Sequence, residues 1–177
     1  SESAALLFAF NSGILADVLE TSPLYFTVGG RMSSGTFSFR IRSPQFPGGQ
    51  PVDVVNAQVE IDAGYESPDL FCVCEAKNIR ADEVLIRQLY YPYRLWRSKL
   101  RKPVVPLFLV YSGEVFHAFV YRFEEEENYN SLRLVAHKAY SLAQELPSFA
   151  EIAALWRSVT PLPEPAVTFP QADSFDR

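Results

Sequence analysis

The chain has 177 residues, 48% of them apolar and 21% charged, with a net charge of −5 at neutral pH, which is the profile of one compact domain with a real core. Its 14 Phe, 9 Tyr and 2 Trp exclude a disordered chain, because such chains lack the large side chains that repay the entropy of ordering. No run approaches the ~18 uninterrupted apolar residues of a membrane span and no basic-then-apolar leader is present, so the expectation is a soluble, cytoplasmic protein with no membrane partner; its opening Ser in place of Met suggests a processed or excised piece.

Residues 3–19 place Leu6, Leu7, Phe10, Ile14, Leu15 and Val18 at helical spacing, which predicts a first helix that ends before Pro23. β-type runs at 24–28 and 36–42, joined through Gly29, Gly30 and Gly35 and closed by Pro44, Pro47, Gly48 and Gly49, predict a hairpin. Residues 53–62 alternate, and 69–77 form a largely apolar run, the mark of a central strand buried on both faces, with a turn at Gly64–Pro68 between them. A helix is predicted over 82–100, with Leu85, Leu89, Pro92, Tyr93, Trp96 and Leu100 on one face. Pro92 lacks a donor for the carbonyl of Gln88, so a kink or an interruption is expected there. Strands follow at 104–111, 115–123 and 132–141, the first two reversing at Ser112-Gly113. Ser148 and Glu151 form a capping box that opens a short helix to about Val159. Pro161, Pro163, Pro165 and Pro170 then mark an extended strap. The domain reading is therefore residues 1–159, followed by a Pro-rich strap or linker over 160–177.

Charge is unevenly placed. Four consecutive acids, Glu124 to Glu127, contrast with the segment from Lys77 to Lys102, which holds eight basic residues against Asp82 and Glu83. Between Glu20 and Asp53 the only charges are Arg31, Arg40 and Arg42. Such a bipolar chain can turn a positive face to phosphates; scattered surface charge with an unrelated acidic loop is the alternative. The glycine-rich stretch Gly29 to Gly35 reads either as a phosphate cradle using Arg31, Ser33 and Ser34 or as an ordinary hairpin loop. Arg80, Arg87 and Arg94 recur at intervals of seven on the predicted helix, a spacing that suits a track along a DNA backbone.

Cys72 and Cys74 are two apart in one strand, where parallel side chains make a poor bridge, and the disulfide-scaffold class is excluded. Together with His117 and His137 they supply four zinc-type ligands on paper. They have no paired short spacing beyond the first, and strand burial accounts for the cysteines. No Gly-x-Ser-x-Gly, P-loop or dinucleotide fingerprint occurs.

The chemistry concentrates elsewhere. Glu60 and Asp62 share a face of one predicted strand, and Glu75 and Lys77 share a face of the next. If these strands pair, their acids meet. Carboxylates converging at a sheet edge suit Mg²⁺, with Mn²⁺ as a substitute, because such an ion keeps waters and a substrate phosphate as its other ligands. Lys77 beside them would orient or deprotonate the attacking water or stabilise charge on the transition state. The plainer reading has Glu60 and Asp62 on a solvated face and Glu75 paired with Lys77. Against it stands the position of that pair, directly after the run Leu70-Phe71-Cys72-Val73-Cys74, where idle charge is expensive.

The order helix, hairpin, Asp62, apolar strand, Glu75-Ala76-Lys77 and a helix bearing Gln88 resembles the PD-(D/E)XK nuclease superfamily, and within it the type II restriction endonucleases. The resemblance implies an α/β fold with a restriction-endonuclease-like core, a mixed central sheet flanked by helices. It implies Asp62 and Glu75 as metal ligands, Lys77 as the catalytic lysine, and a supporting glutamate on the first helix, for which Glu20 is the nearest candidate. Gln88 with Tyr91 to Tyr93 is similar to the Gln-x-x-x-Tyr element of the RecB-like branch, although Pro92 stands in the tyrosine's place. The literal Pro68-Asp69 would put the acid six residues before Glu75, ~20 Å away along one strand at ~3.3 Å per residue, so Asp62 is preferred. The expected activity is Mg²⁺-dependent cleavage of duplex DNA, in restriction or phage defence, by a homodimer or beside a separate recognition domain. A non-catalytic nucleic-acid-binding module of the same fold and a protein-interaction domain are the alternatives.

Overall fold

A computed structural model describes residues 1–78, 85–142 and 147–158. The chain divides into two units, Ser1–Leu142 and Ala143–Arg177. The first has a mixed α/β fold built from α1 (Glu2–Asn11), α2 (Ile14–Val18), β1 (Tyr25–Ser33), β2 (Thr36–Ser43), β3 (Phe46–Val55), β4 (Gln58–Glu66), β5 (Phe71–Lys77), α3 (Ile86–Arg97), β6 (Val104–Ser112), β7 (Val115–Phe123) and β8 (Leu132–Ser141). The second contains α4 (Phe149–Ser158), opened by the expected capping box: Ser148 Oγ accepts from the Glu151 amide at 3.3 Å and Glu151 Oε2 accepts from the Ser148 amide at 2.7 Å. Among the described residues, no helix is long and apolar enough to cross a membrane.

Six strands form one sheet in the order β1-β4-β5-β6-β7-β8. All neighbours are antiparallel except β5 and β6, whose parallel pairing follows from the long crossover that carries α3. As the apolar run predicts, β5 is buried on both faces. One face packs Cys72, Cys74, Ala76, Leu107 and Phe116 against Leu6, Ala9, Leu15 and Val18 of α1 and α2. On the other, Phe71 and Val73 meet Tyr90 and Tyr93, and Phe108 and Val110 meet Leu89, all three helical residues belonging to α3. β2 and β3 form a separate two-stranded ribbon, bridged at Arg40 to Asn128, whose Phe39 and Val54 close over the far side of α3.

Several expectations are corrected here. The first helix is two, parted at Ser12-Gly13 because Gly13 takes φ +80°, a value that suits a residue without Cβ. The predicted partner of the 24–28 strand is wrong: β1 pairs with β4, and β2 turns back through Pro44-Gln45 onto β3. The Gly29–Gly35 loop is for the most part strand, since β1 runs on to Ser33. The 53–62 strand breaks at Asn56, whose φ of +49° ends β3 before β4 begins. Gly64 lies within β4 rather than in a turn, beneath Val28 and Phe71. α3 continues through Pro92 without interruption. Residues 79–84, and with them Arg80 and the predicted start of this helix, lie outside the described residues.

Candidate active site

The β4–β5 ladder runs from Glu66/Phe71 to Ala63/Cys74 and stops. Beyond that point the Asp62 carboxylate takes over, its Oδ2 accepting the Ala76 amide of β5 at 2.9 Å. A β-bulge sets this up. From Val28 to Gly30, three residues of β1 face the four of β4 from Gly64 to Ile61, and the extra residue flips the strand's alternation. Before it, Val59 and Ile61 pack with Leu95 of α3; after it, Ala63 and Tyr65 pack in the core shared with α1. Asp62 stands at the crossover. Gly29 lets β1 lie close beside it, since a Cβ there would come 3.3 Å from the Asp62 carbonyl.

Glu75 lies on the α3 face of β5 and is only 4% exposed. Its Oε1 accepts two hydrogen bonds of 2.6 Å, from Lys77 Nζ and from Gln88 Nε2 in the first turn of α3. Burial pushes the Glu75 pKa from 4.5 up to about 7; Asp62 and Glu2 add to the rise and Lys77 opposes it. Burial works against the Lys77 charge, but Glu75, Glu2 and Asp62 outweigh it and hold the ammonium protonated beyond its ordinary range. Lys77 Nζ also lies 3.7 Å from Glu2 Oε1. Asp62, Glu75, Lys77 and Gln88 therefore meet, together with Glu2, in a cleft of about 670 Å³ walled by Tyr91 and Tyr129.

The helix glutamate that lines the cleft is Glu2, whereas Glu20 does not line it. Glu20 is exposed in the turn that follows α2, whereas Glu2 occupies the first turn of α1, next to the N-cap Ser1. A Ser-Glu pair opening the apolar run was the available signal; the link to Lys77, 75 positions away, was not legible. Glu60 lines the rim of the cleft, exposed and paired with Arg31 of β1 at 3.3 Å. Ser33 Oγ donates to Asn56 Oδ1 at 3.3 Å. Ser34 is buried, its hydroxyl donating to the Gly35 carbonyl at 2.8 Å and accepting the Ala57 amide at 3.0 Å. These two hydroxyls tie β1 to the β3–β4 junction instead of opening a cradle.

The seven-residue arginine track divides. Arg87 is exposed at the cleft, its guanidinium 4.7 Å above the Tyr91 ring. Arg94, on the same stripe two turns on, is buried under the ribbon, where its Nη1 donates to the Ser38 carbonyl, the Tyr90 hydroxyl and the Glu126 carbonyl at 3.0 to 3.1 Å. It is a structural clamp. Cys72 and Cys74 are free and buried on the α1 face. His117 and His137 lie 3.2 Å apart beside Phe119 on the α3 face, so the four do not converge.

Asp62 Oδ1 and Glu75 Oε2 have no hydrogen-bond partner among the described residues. No group of three or more His, Cys, Asp or Glu side chains forms a ready metal cage among those residues. The cleft thus offers one open oxygen from each of two carboxylates, a lysine and an amide. No curated protein and no solved structure matches the chain. Residues 1–141 match the family model described as a domain of unknown function (DUF6997), and the chain belongs to that family.

Proposed function

We propose that the chain is a Mg²⁺-dependent DNA endonuclease with a restriction-endonuclease-like core, acting in the cytoplasm in restriction or phage defence. The observation that carries this reading is the convergence of Asp62, Glu75, Lys77 and Gln88 in one cleft, where β4 and β5 part. The topology supports it: an antiparallel β4–β5 pair continues through α3 into a parallel β6, with α1 on the opposite face.

The donor set suits Mg²⁺, since two hard carboxylate oxygens are what this ion takes from a protein when water and phosphate complete its shell. Asp62 and Glu75 are the residues that would hold it; when bound, it polarises the phosphate and acidifies a water. The remaining work belongs to the side chains. Lys77, held protonated by its acidic neighbours, stands as a hydrogen-bond donor and a positive charge toward the attacking water or a phosphate oxygen. Gln88 and Lys77 both bond Oε1 of Glu75, which fixes the carboxylate and leaves Oε2 free. Glu2 keeps Lys77 at the cleft. Arg87, exposed at the rim, is placed to take a phosphate of the bound strand.

The test is supercoiled plasmid incubated with Mg²⁺ or Mn²⁺, with and without chelator. The parent should nick or linearise it only with metal, and Asp62→Ala, Glu75→Ala and Lys77→Ala should each abolish cleavage. A parent inert with both metals, or three variants that cut like the parent, would overturn the proposal.

A further inference from the structure

The β2–β3 ribbon stands apart from the six-stranded sheet, and its two faces differ sharply. Inward, Phe37, Phe39, Ile41, Val52 and Val54 close over α3. Outward, Arg40 and Arg42 are exposed and have no ion pair or side-chain hydrogen bond among the described residues. Gly49 lies beside them, where a Cβ would make ordinary contacts of 3.4 Å with Arg40 Cβ and 3.6 Å with Arg42 Cγ; its φ of +86° is what favours glycine there. The one acid of the ribbon, Asp53, is tied to Ser38 Oγ at 2.6 Å. At the tip, where Pro44 and Gln45 turn the chain, Phe46 is 50% exposed.

Unpaired cations on a ribbon with an exposed aromatic tip call for a polyanionic partner. An antiparallel ribbon whose shorter strand has eight residues and whose longer has ten is ~25 Å long at ~3.3 Å per residue, and the ~12 Å major groove of duplex DNA admits such a ribbon. The ribbon is also joined to the cleft, since Phe37 packs edge-on against the cleft-lining Tyr91 with ring centres 5.4 Å apart. Its β2 edge is sealed: the Arg40 amide donates to the Glu127 carbonyl at 2.7 Å and the Tyr129 amide to the Arg40 carbonyl at 3.0 Å. Within that acidic loop, Glu124 pairs with Arg133 and Glu126 with Arg94 and Arg97, while Glu125 and Glu127 are exposed and have no ion pair among the described residues. The outer face and the β3 edge are what remain to meet a partner.

We infer that the β2–β3 ribbon is the duplex-gripping element of this chain: Arg40 and Arg42 engage the DNA and Phe46 wedges at its tip. The inference rests on the nuclease reading of the cleft and adds to it where the substrate is held. The test is fluorescence anisotropy with a 20-base-pair duplex in EDTA, where no metal-dependent cleavage can occur, across a salt series. Arg40→Ala/Arg42→Ala should bind about tenfold more weakly, with a log-log salt slope shallower by about two, one for each lost phosphate contact. Phe46→Ala should weaken binding and leave the slope unchanged, because it removes no charge. All three positions are exposed, and circular dichroism checks that the variants fold. A folded double variant with the parent's affinity and slope overturns the inference, as does a parent that binds no duplex at any salt. Plasmid cleavage by the parent separates the two readings: cleavage with unchanged ribbon-variant binding removes the ribbon and keeps the cleft, whereas ribbon-dependent binding without cleavage does the reverse.

Discussion

Replacing Glu75 by Gln should make the protein more stable above neutral pH while abolishing its activity. The side chain is 4% exposed and burial raises its pKa from 4.5 to about 7, which corresponds to about 3 kcal/mol against the ionised form. The folded pKa lies above the unfolded one, so the unfolded chain releases its proton first as pH rises. The penalty is absent below about 4.5, grows between there and about 7, and is constant above. Gln keeps the shape and an acceptor for Gln88 and Lys77 but carries no charge to desolvate. The ion pair with Lys77, at 2.6 Å, already lowers this pKa, so its loss is contained in that figure. The net expectation at pH 8 is about 3 kcal/mol of added stability, or roughly 6–12 °C in Tm for a domain of this size, with no gain at pH 4. Thermal unfolding of parent and variant at both pH values, without divalent metal, measures it. A variant less stable than the parent at pH 8, or a difference that does not change with pH, would refute the reasoning.

Because metal binding needs the ionised carboxylate, Mg²⁺ affinity measured by calorimetry should fall as pH drops below about 7, by up to tenfold per pH unit. Gln88→Ala removes one of the two donors to Glu75 Oε1, so the acidic limb of the cleavage profile should move to higher pH, while a purely structural role for Gln88 would lower activity without moving it. Arg94→Leu leaves the Ser38 and Glu126 carbonyls without their guanidinium donor and should cost about 3 kcal/mol in denaturant unfolding. Faster amide exchange should then appear in β2 and β3. Gly64→Ala drives a Cβ into Val28 and to 3.0 Å from Phe71, for a loss of about 1–3 kcal/mol.

The fork of the site was legible because it depends on short-range signals. The apolar run from Leu70 to Cys74 marks a strand buried on both faces, and a period of two then puts Glu75 and Lys77 on one side. Gln88 follows from the same logic on the next helix. What escaped depends on pairing between distant strands. Nothing near Tyr25–Ser33 shows that β1 joins β4, and without that pairing the bulge that turns Asp62 cannot be seen. The period-of-two argument brought Glu60 along with Asp62 by assuming an even alternation that the bulge interrupts. Arg87 and Arg94 share a helical stripe, yet the ribbon covers one and leaves the other open, because a helix period carries no information about what packs on it later. A kink or an interruption is expected at Pro92, but α3 runs on through it because its packing against the sheet and the ribbon outweighs one missing hydrogen bond.

Crystals of the protein soaked in Mn²⁺ and measured at the manganese absorption edge test the central claim most directly. The account predicts an anomalous peak within about 2.0–2.3 Å of Asp62 Oδ1 and Glu75 Oε2, lost in Glu75→Gln crystals. Full density for both carboxylates with no peak between them, or a peak held by other residues, would contradict it.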